Sequence, residues 1–153
     1  MIRIEHANLV SNDLEATLKF LTAALPEWQV RGRGETEWFG TKRNWLHFGS
    51  EDYYITLNEG NQDSNRDLTG QTPGLAHIGF CVDDVDLVVA RLKNEGYEIA
   101  TIGADHPYRK NVYFVEPSGF EFEFIQYLST APEQKNMVTT HPTPEIRQLV
   151  VKK

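Results

Sequence analysis

Cysteine is nearly absent: Cys81 is the only one in 153 residues. A single thiol excludes an internal disulfide framework and any zinc site built from paired cysteines, and it fits a reducing cytoplasm. Long apolar runs are missing as well. No stretch approaches the ~20 apolar residues that span a bilayer, and the charged opening Met1-Ile2-Arg3-Ile4-Glu5-His6 does not read as a signal peptide, so no membrane partner is expected. Basic residues are few, 15 against 22 acidic ones for a formal net charge of -7, and the pairs Lys42-Arg43, Arg109-Lys110 and Lys152-Lys153 are scattered. A phosphate-tracking surface needs basic residues gathered on one face, so no nucleic-acid partner is expected either.

What is present suffices for a core. Hydrophobic residues make up 40% of the chain and aromatics 11%, enough to offset the entropy cost of ordering one domain of ordinary size. The main signal is internal repetition. His6-Ala7-Asn8-Leu9-Val10-Ser11-Asn12-Asp13-Leu14 lies over His77-Ile78-Gly79-Phe80-Cys81-Val82-Asp83-Asp84-Val85 at a constant offset of 71 residues. A duplicated unit dictates architecture.

Each copy opens with an alternating stretch that predicts a strand, His6 and His77 pointing away from its apolar side. A polar cap follows, Asn12 or Asp83, and then a helix. The first helix carries the stripe Leu14, Leu18, Leu21 and Leu25 and stops at Pro26; the second carries Val85, Val88, Val89 and Leu92 and closes at Gly96. Three strand-like runs come next. In the first copy they are Trp28–Arg31, Trp45–Phe48 and Tyr53–Asn58, with Glu35–Phe39 as an extension of the first hairpin. In the second they are Tyr97–Ile102, Asn111–Glu116 and Phe120–Tyr127, the last two joined by the turn Glu116-Pro117-Ser118-Gly119.

The expected class is therefore α+β, two tandem βαβββ modules. Module one is 1–59, a polar linker covers 60–73, module two is 74–128, and together they make one domain over 1–128. An arm rich in proline and small polar residues follows over 129–153, its end Ile146–Val151 apolar enough to dock on a neighbour. In Phe120–Tyr127 the parity sets Glu121, Glu123 and Ile125 on one side and Phe122 and Phe124 on the core side.

The repeat-matched histidines, together with Tyr113-Phe114-Val115-Glu116-Pro117-Ser118-Gly119-Phe120-Glu121-Phe122-Glu123-Phe124-Ile125, resemble the vicinal oxygen chelate superfamily. That superfamily holds glyoxalase I, extradiol dioxygenases, an epimerase, fosfomycin-modifying enzymes and bleomycin-binding proteins. The resemblance covers about residues 1–128 and implies a pair of half-barrel modules around a metal site. Glu116, Ser118 and Phe120 depart from the usual turn, which leaves Glu123 as the matching carboxylate, with Glu121 the other candidate. The resemblance implies one divalent ion, Fe(II), Mn(II), Zn(II) or Ni(II), on His6, His77 and Glu123, with positions open for a small substrate bearing adjacent oxygens.

Glyoxalase I and the epimerase add a Glu or Gln from the first copy. Here the matching position is Thr56, or Asp52 or Glu59 if the register differs. Threonine is a poor ligand and no proton acceptor near neutral pH. Dioxygenase-type chemistry is therefore expected ahead of a glyoxalase-like lyase or isomerase, and an enzyme ahead of a non-catalytic antibiotic-binding protein. A nearby His or Tyr would move protons; the candidates are His47, His106, Tyr108 and Tyr113. The resemblance also implies a homodimer.

Overall fold

The computed structural model describes residues 2–61 and 63–138. The elements follow the order β1 (His6–Ser11), α1 (Leu14–Ala24), β2 (Gln29–Trp38), β3 (Thr41–Gly49), β4 (Tyr54–Glu59), β5 (His77–Cys81), α2 (Val85–Asn94), β6 (Thr101–Ile102), β7 (Arg109–Val115), β8 (Glu121–Tyr127) and α3 (Pro132–Lys135). Two βαβββ modules are present, in an α+β fold. The strands form two four-stranded sheets, β1-β4-β3-β2 and β5-β8-β7-β6, each with one parallel pair among antiparallel ones. The chain forms two compact units. One reaches from the start of the described residues to Asn65 and includes Pro117–Gly119; the other is Arg66–Glu116 and the chain from Phe120 on. The boundary falls inside the polar linker. No helix among the described residues is long and apolar enough to cross a membrane.

In the first unit the helix side of the sheet buries Leu9, Leu46, Phe48, Ile55 and Leu57, with α1 packed on β4. The leucine stripe expected on α1 is rotated by one position. The buried residues are Thr17, Phe20, Leu21 and Ala24, while Leu14, Leu18 and Leu25 are only part-buried. Thr17 enters the core because its hydroxyl has partners: it lies 2.8 Å from the Ser11 Oγ, which lies 2.7 Å from that of Ser118. Each buried hydroxyl would otherwise cost about 1–3 kcal/mol unpaired. This network accounts for the serine at position 118 of the turn.

In the second unit Phe114, Phe122 and Phe124 are fully buried with Val85, Val88 and Leu92 of α2. Each such phenylalanine contributes roughly 1.5–3 kcal/mol by leaving water. The strand parity is as expected, with Phe122 and Phe124 inward and Glu121, Glu123 and Ile125 opposite.

Three local expectations are corrected. The helix caps are Asp13 and Asp84, one residue later than Asn12 and Asp83; Asp13 accepts from the Ala16 amide and Asp84 from those of Asp86 and Leu87. The runs Trp28–Arg31 and Glu35–Phe39 are one long strand, interrupted by a bulge between Val30 and Gly32. The run Tyr97–Ile102 shrinks to Thr101–Ile102, because the Gly96 and Tyr97 amides turn back to Lys93 and Leu92 and close α2 in a left-handed cap at Gly96. The arm forms the short helix α3 after Ser129; its later residues, His141 and Ile146–Val151 among them, lie outside the described residues.

Candidate functional site

The open side of the second sheet, opposite α2, carries a connected polar cluster. β5 and β8 run parallel in a register that sets His77 against Glu121 and Gly79 against Glu123; β7 sets Tyr113 against Glu123. The Nε2 of His77 lies 3.2 Å from Oε2 of Glu123, and its Nδ1 lies 3.8 Å from Oε2 of Glu121. The other Glu123 oxygen is anchored. Tyr113 donates its phenol proton to Oε1 at 2.7 Å, and the Asn111 amide donates to the same atom at 2.6 Å. Burial, then the bond and charge of Glu123, hold the Tyr113 phenol well above its ordinary range, so it stays a donor. Burial also raises Glu121, His77 opposing and Glu123 adding to the shift.

The first sheet repeats this layout with different side chains. His6 pairs with Tyr54, Asn8 with Thr56, and His47 with Thr56. Thr56 thus holds in the first unit the register position that Glu123 holds in the second, and His47 the position of Tyr113. The alternatives drop out: Glu59 ends β4 and accepts from the Asn44 amide, and Asp52 sits in the preceding turn, 3.9 Å from Arg3. His6 stacks on Tyr54, its Nδ1 3.0 Å from Glu5. His47 lies between Tyr54 and Trp45. Burial, then the Arg31 charge, then His6, keep the His47 imidazole below its ordinary range, hence neutral near pH 7. Sequence reasoning missed Glu5 and Arg31; Asn111 closes the segment His106–Asn111 that the sequence offers as a polar lip, but its bond to Glu123 has no signal there. Glu5 carries no pattern of its own, and Arg31 is brought in by a bulge.

Residues 3–124 match the Glyoxalase/Bleomycin resistance protein/Dioxygenase superfamily. The chain belongs to that superfamily. Solved structures of similar fold include a glyoxylase/bleomycin resistance protein/dioxygenase domain from Frankia sp. EAN1pec, with TM-score 0.68 and 21% identity over 90% of this chain and 99% of that one. A glyoxalase family protein from Bacillus cereus has TM-score 0.70 and 15% identity over 84% and 96%. The fosfomycin resistance protein FosX from Listeria monocytogenes, in complex with Mn(II) and sulfate, has TM-score 0.62 and 23% identity over 88% and 98%. No functionally characterised protein gives a significant sequence match.

The superfamily implies a divalent ion, and the donor chemistry fits one. Two imidazoles and a carboxylate suit a first-row cation. His6 meets a carboxylate, Glu5, through Nδ1, while His77 meets Glu123 through Nε2 and has Glu121 3.8 Å from its Nδ1. Among the described residues no group of three or more His, Cys, Asp or Glu side chains is gathered in metal-binding geometry.

The remaining candidates are engaged elsewhere. His106 accepts from the Tyr108 amide at Nδ1 and meets the Met137 carbonyl at Nε2, both at 3.1 Å, so its ring braces the start of the arm. Tyr108 makes an edge contact with it. A cleft of about 460 Å³ at the start of α1 is lined in part by Glu15, Arg33, Asn44 and Glu59. Arg33 pairs with Glu15 and Asn44 with Glu59, so its polar groups are used internally.

Proposed function

We propose that this chain is a metal-dependent enzyme of the superfamily, acting on a small substrate that chelates one divalent ion through adjacent oxygens. His6, His77 and Glu123 are the ligands, and Fe(II), Mn(II), Zn(II) or Ni(II) is the ion. The observation that carries the reading is the cluster around Glu123, where Tyr113 and Asn111 fix one carboxylate oxygen and the other meets His77, with Glu5 on the Nδ1 of His6. The similarity to FosX, solved with Mn(II), adds to it. When bound, the ion would polarise the substrate oxygens and leave coordination positions open for them.

The chain's own residues divide the remaining work. Tyr113 is a proton donor locked to Glu123. His47, neutral near pH 7, is the group on the first sheet able to take a proton. Thr56 cannot act as a base, and this ranks dioxygenase-type cleavage ahead of the lyase or isomerase chemistry of glyoxalase. The chain pairs as a homodimer in this reading.

The test is oxygen uptake by Fe(II)-loaded protein across a panel of catechols. Uptake matched by loss of one catechol supports the reading. No uptake with any of them, alongside turnover of the methylglyoxal–glutathione hemithioacetal at ordinary enzyme rates, overturns the ranking.

A further inference from the structure

The open side of the first sheet carries a row of rings that runs across three strands. Trp45 and His47 of β3 are 4.8 Å apart between centroids, His47 and Tyr54 of β4 again 4.8 Å, and Tyr54 and His6 of β1 again 4.8 Å. This side faces away from the hydrophobic core, and its rings are half-exposed rather than buried. The neighbouring strand is bare where the indole lies. A Cβ on Gly34 would stand 3.1 Å from the Trp45 ring and one on Gly32 3.9 Å from it, so two glycines leave the indole room to lie over β2.

One cation is aimed at this row. Arg31 is the extra residue of the bulge, between Val30, paired with Phe48, and Gly32, paired with His47. Bulges re-aim a side chain, and this one sets the guanidinium 4.5 Å from the Tyr54 ring centroid, close enough to depress His47. Arg31 has no carboxylate partner among the described residues, whereas Arg33, two residues on, pairs with Glu15. A half-exposed guanidinium near an indole that ends a row of packed rings is matched by a flat ligand with an anionic edge: the ligand ring stacks on the indole, and the carboxylate takes the planar fork of donors in two parallel bonds.

We propose that this face is a binding subsite for a planar aromatic carboxylate, with the Trp45 indole at the end of the row as the stacking surface and Arg31, held over Tyr54, as the anion anchor. It deepens the functional reading, since it names the substrate class, and it rests on that reading only in taking this face as the substrate side. Recognition by rings and guanidinium needs no metal, so the two are separable by a ligand that has no adjacent hydroxyls to chelate with.

The experiment is calorimetric titration of the full chain with 2-naphthoate, cyclohexanecarboxylate and propylphosphonate, with and without EDTA. Naphthoate is expected to bind about tenfold more tightly than either non-planar anion, equally with EDTA present. Arg31→Gln should weaken naphthoate about tenfold, with partial recovery in Arg31→Lys, which keeps the charge and loses the fork. Trp45→Leu should remove the preference for the planar anion, far-ultraviolet circular dichroism showing the variants folded. Equal binding of all three anions, loss of naphthoate binding with EDTA, or indifference to both Arg31→Gln and Trp45→Leu overturns the proposal. So does the absence of naphthoate binding at millimolar concentration. Failure of the metal reading alone would leave these titrations unchanged.

Discussion

Glu123 commits one carboxylate oxygen to Tyr113 and Asn111 and turns the other to His77, and this division decides what each neighbour contributes. Tyr113→Phe keeps the ring and removes the donor. The carboxylate then loses an orienting bond, and metal affinity should fall about 10- to 100-fold with the fold intact, measurable by competition with a chromophoric chelator. His47 yields a pH prediction. Its folded value lies below the ordinary 6.5, so above that pH it is neutral in both the folded and unfolded chain and adds nothing. As pH falls below 6.5 the unfolded chain takes the proton more readily, and stability declines until the folded imidazole is protonated too. Calorimetry from pH 7.5 to 5.0 should show a shallower acid-side loss in His47→Asn than in the native chain; identical slopes would contradict the burial and Arg31 account. His6 and His77 stand out in the sequence through duplication, and Glu123 through the superfamily resemblance and strand parity; that the three bind one ion is the proposal. Arg31 does not stand out, since a bulge shifts parity by one and a single sequence does not announce where a strand will bulge.

Among the elements, the β2–β3 hairpin turns through Phe39 (φ 51) and Gly40 (φ 76), both in the left-handed region. Gly40 accepts that conformation freely, while Phe39 meets the Cβ clash that makes it costly, and its side chain is 90% exposed, so little burial offsets the strain. Asparagine suits this position in two-residue hairpins. Phe39→Asn should therefore stabilise by about 1 kcal/mol and raise the Tm by roughly 2–4 °C; a fall would mean that the Trp38–Phe39 ring contact outweighs the backbone strain. Most strands were readable from alternation and the two longer helices from periodicity. The caps were not, because Asn12-Asp13 and Asp83-Asp84 each offer two capping residues in succession and only the backbone selects the second. The expected strand from Tyr97 starts late because the Gly96 and Tyr97 amides close the helix, and pairing with β7 begins only at the Ala100 amide.

For the whole molecule, the repeat read in the sequence is present as two compact units, each with its own sheet and buried core. Among the described residues β2 ends its sheet, a ten-residue edge strand with exposed residues along most of its length. Open edges favour pairing with a second chain. Sedimentation at micromolar concentration should give a mass near twice 17.5 kDa. A species that stays monomeric at high concentration would contradict this. The charge balance and lone cysteine set broad bounds on the protein's partners, but could not reveal the ring row, which depends on strand register. The most direct test of the central claim is metal stoichiometry: protein purified without chelators, analysed for bound ions and titrated to saturation, beside the separate variants His6→Ala, His77→Ala and Glu123→Ala. One equivalent per chain is expected in the native protein and loss of that tight equivalent in every variant, His6→Ala included, with the circular dichroism spectrum unchanged. A His6→Ala protein that still holds one ion tightly would contradict the claim, because the ion would then be held without the histidine of the first unit.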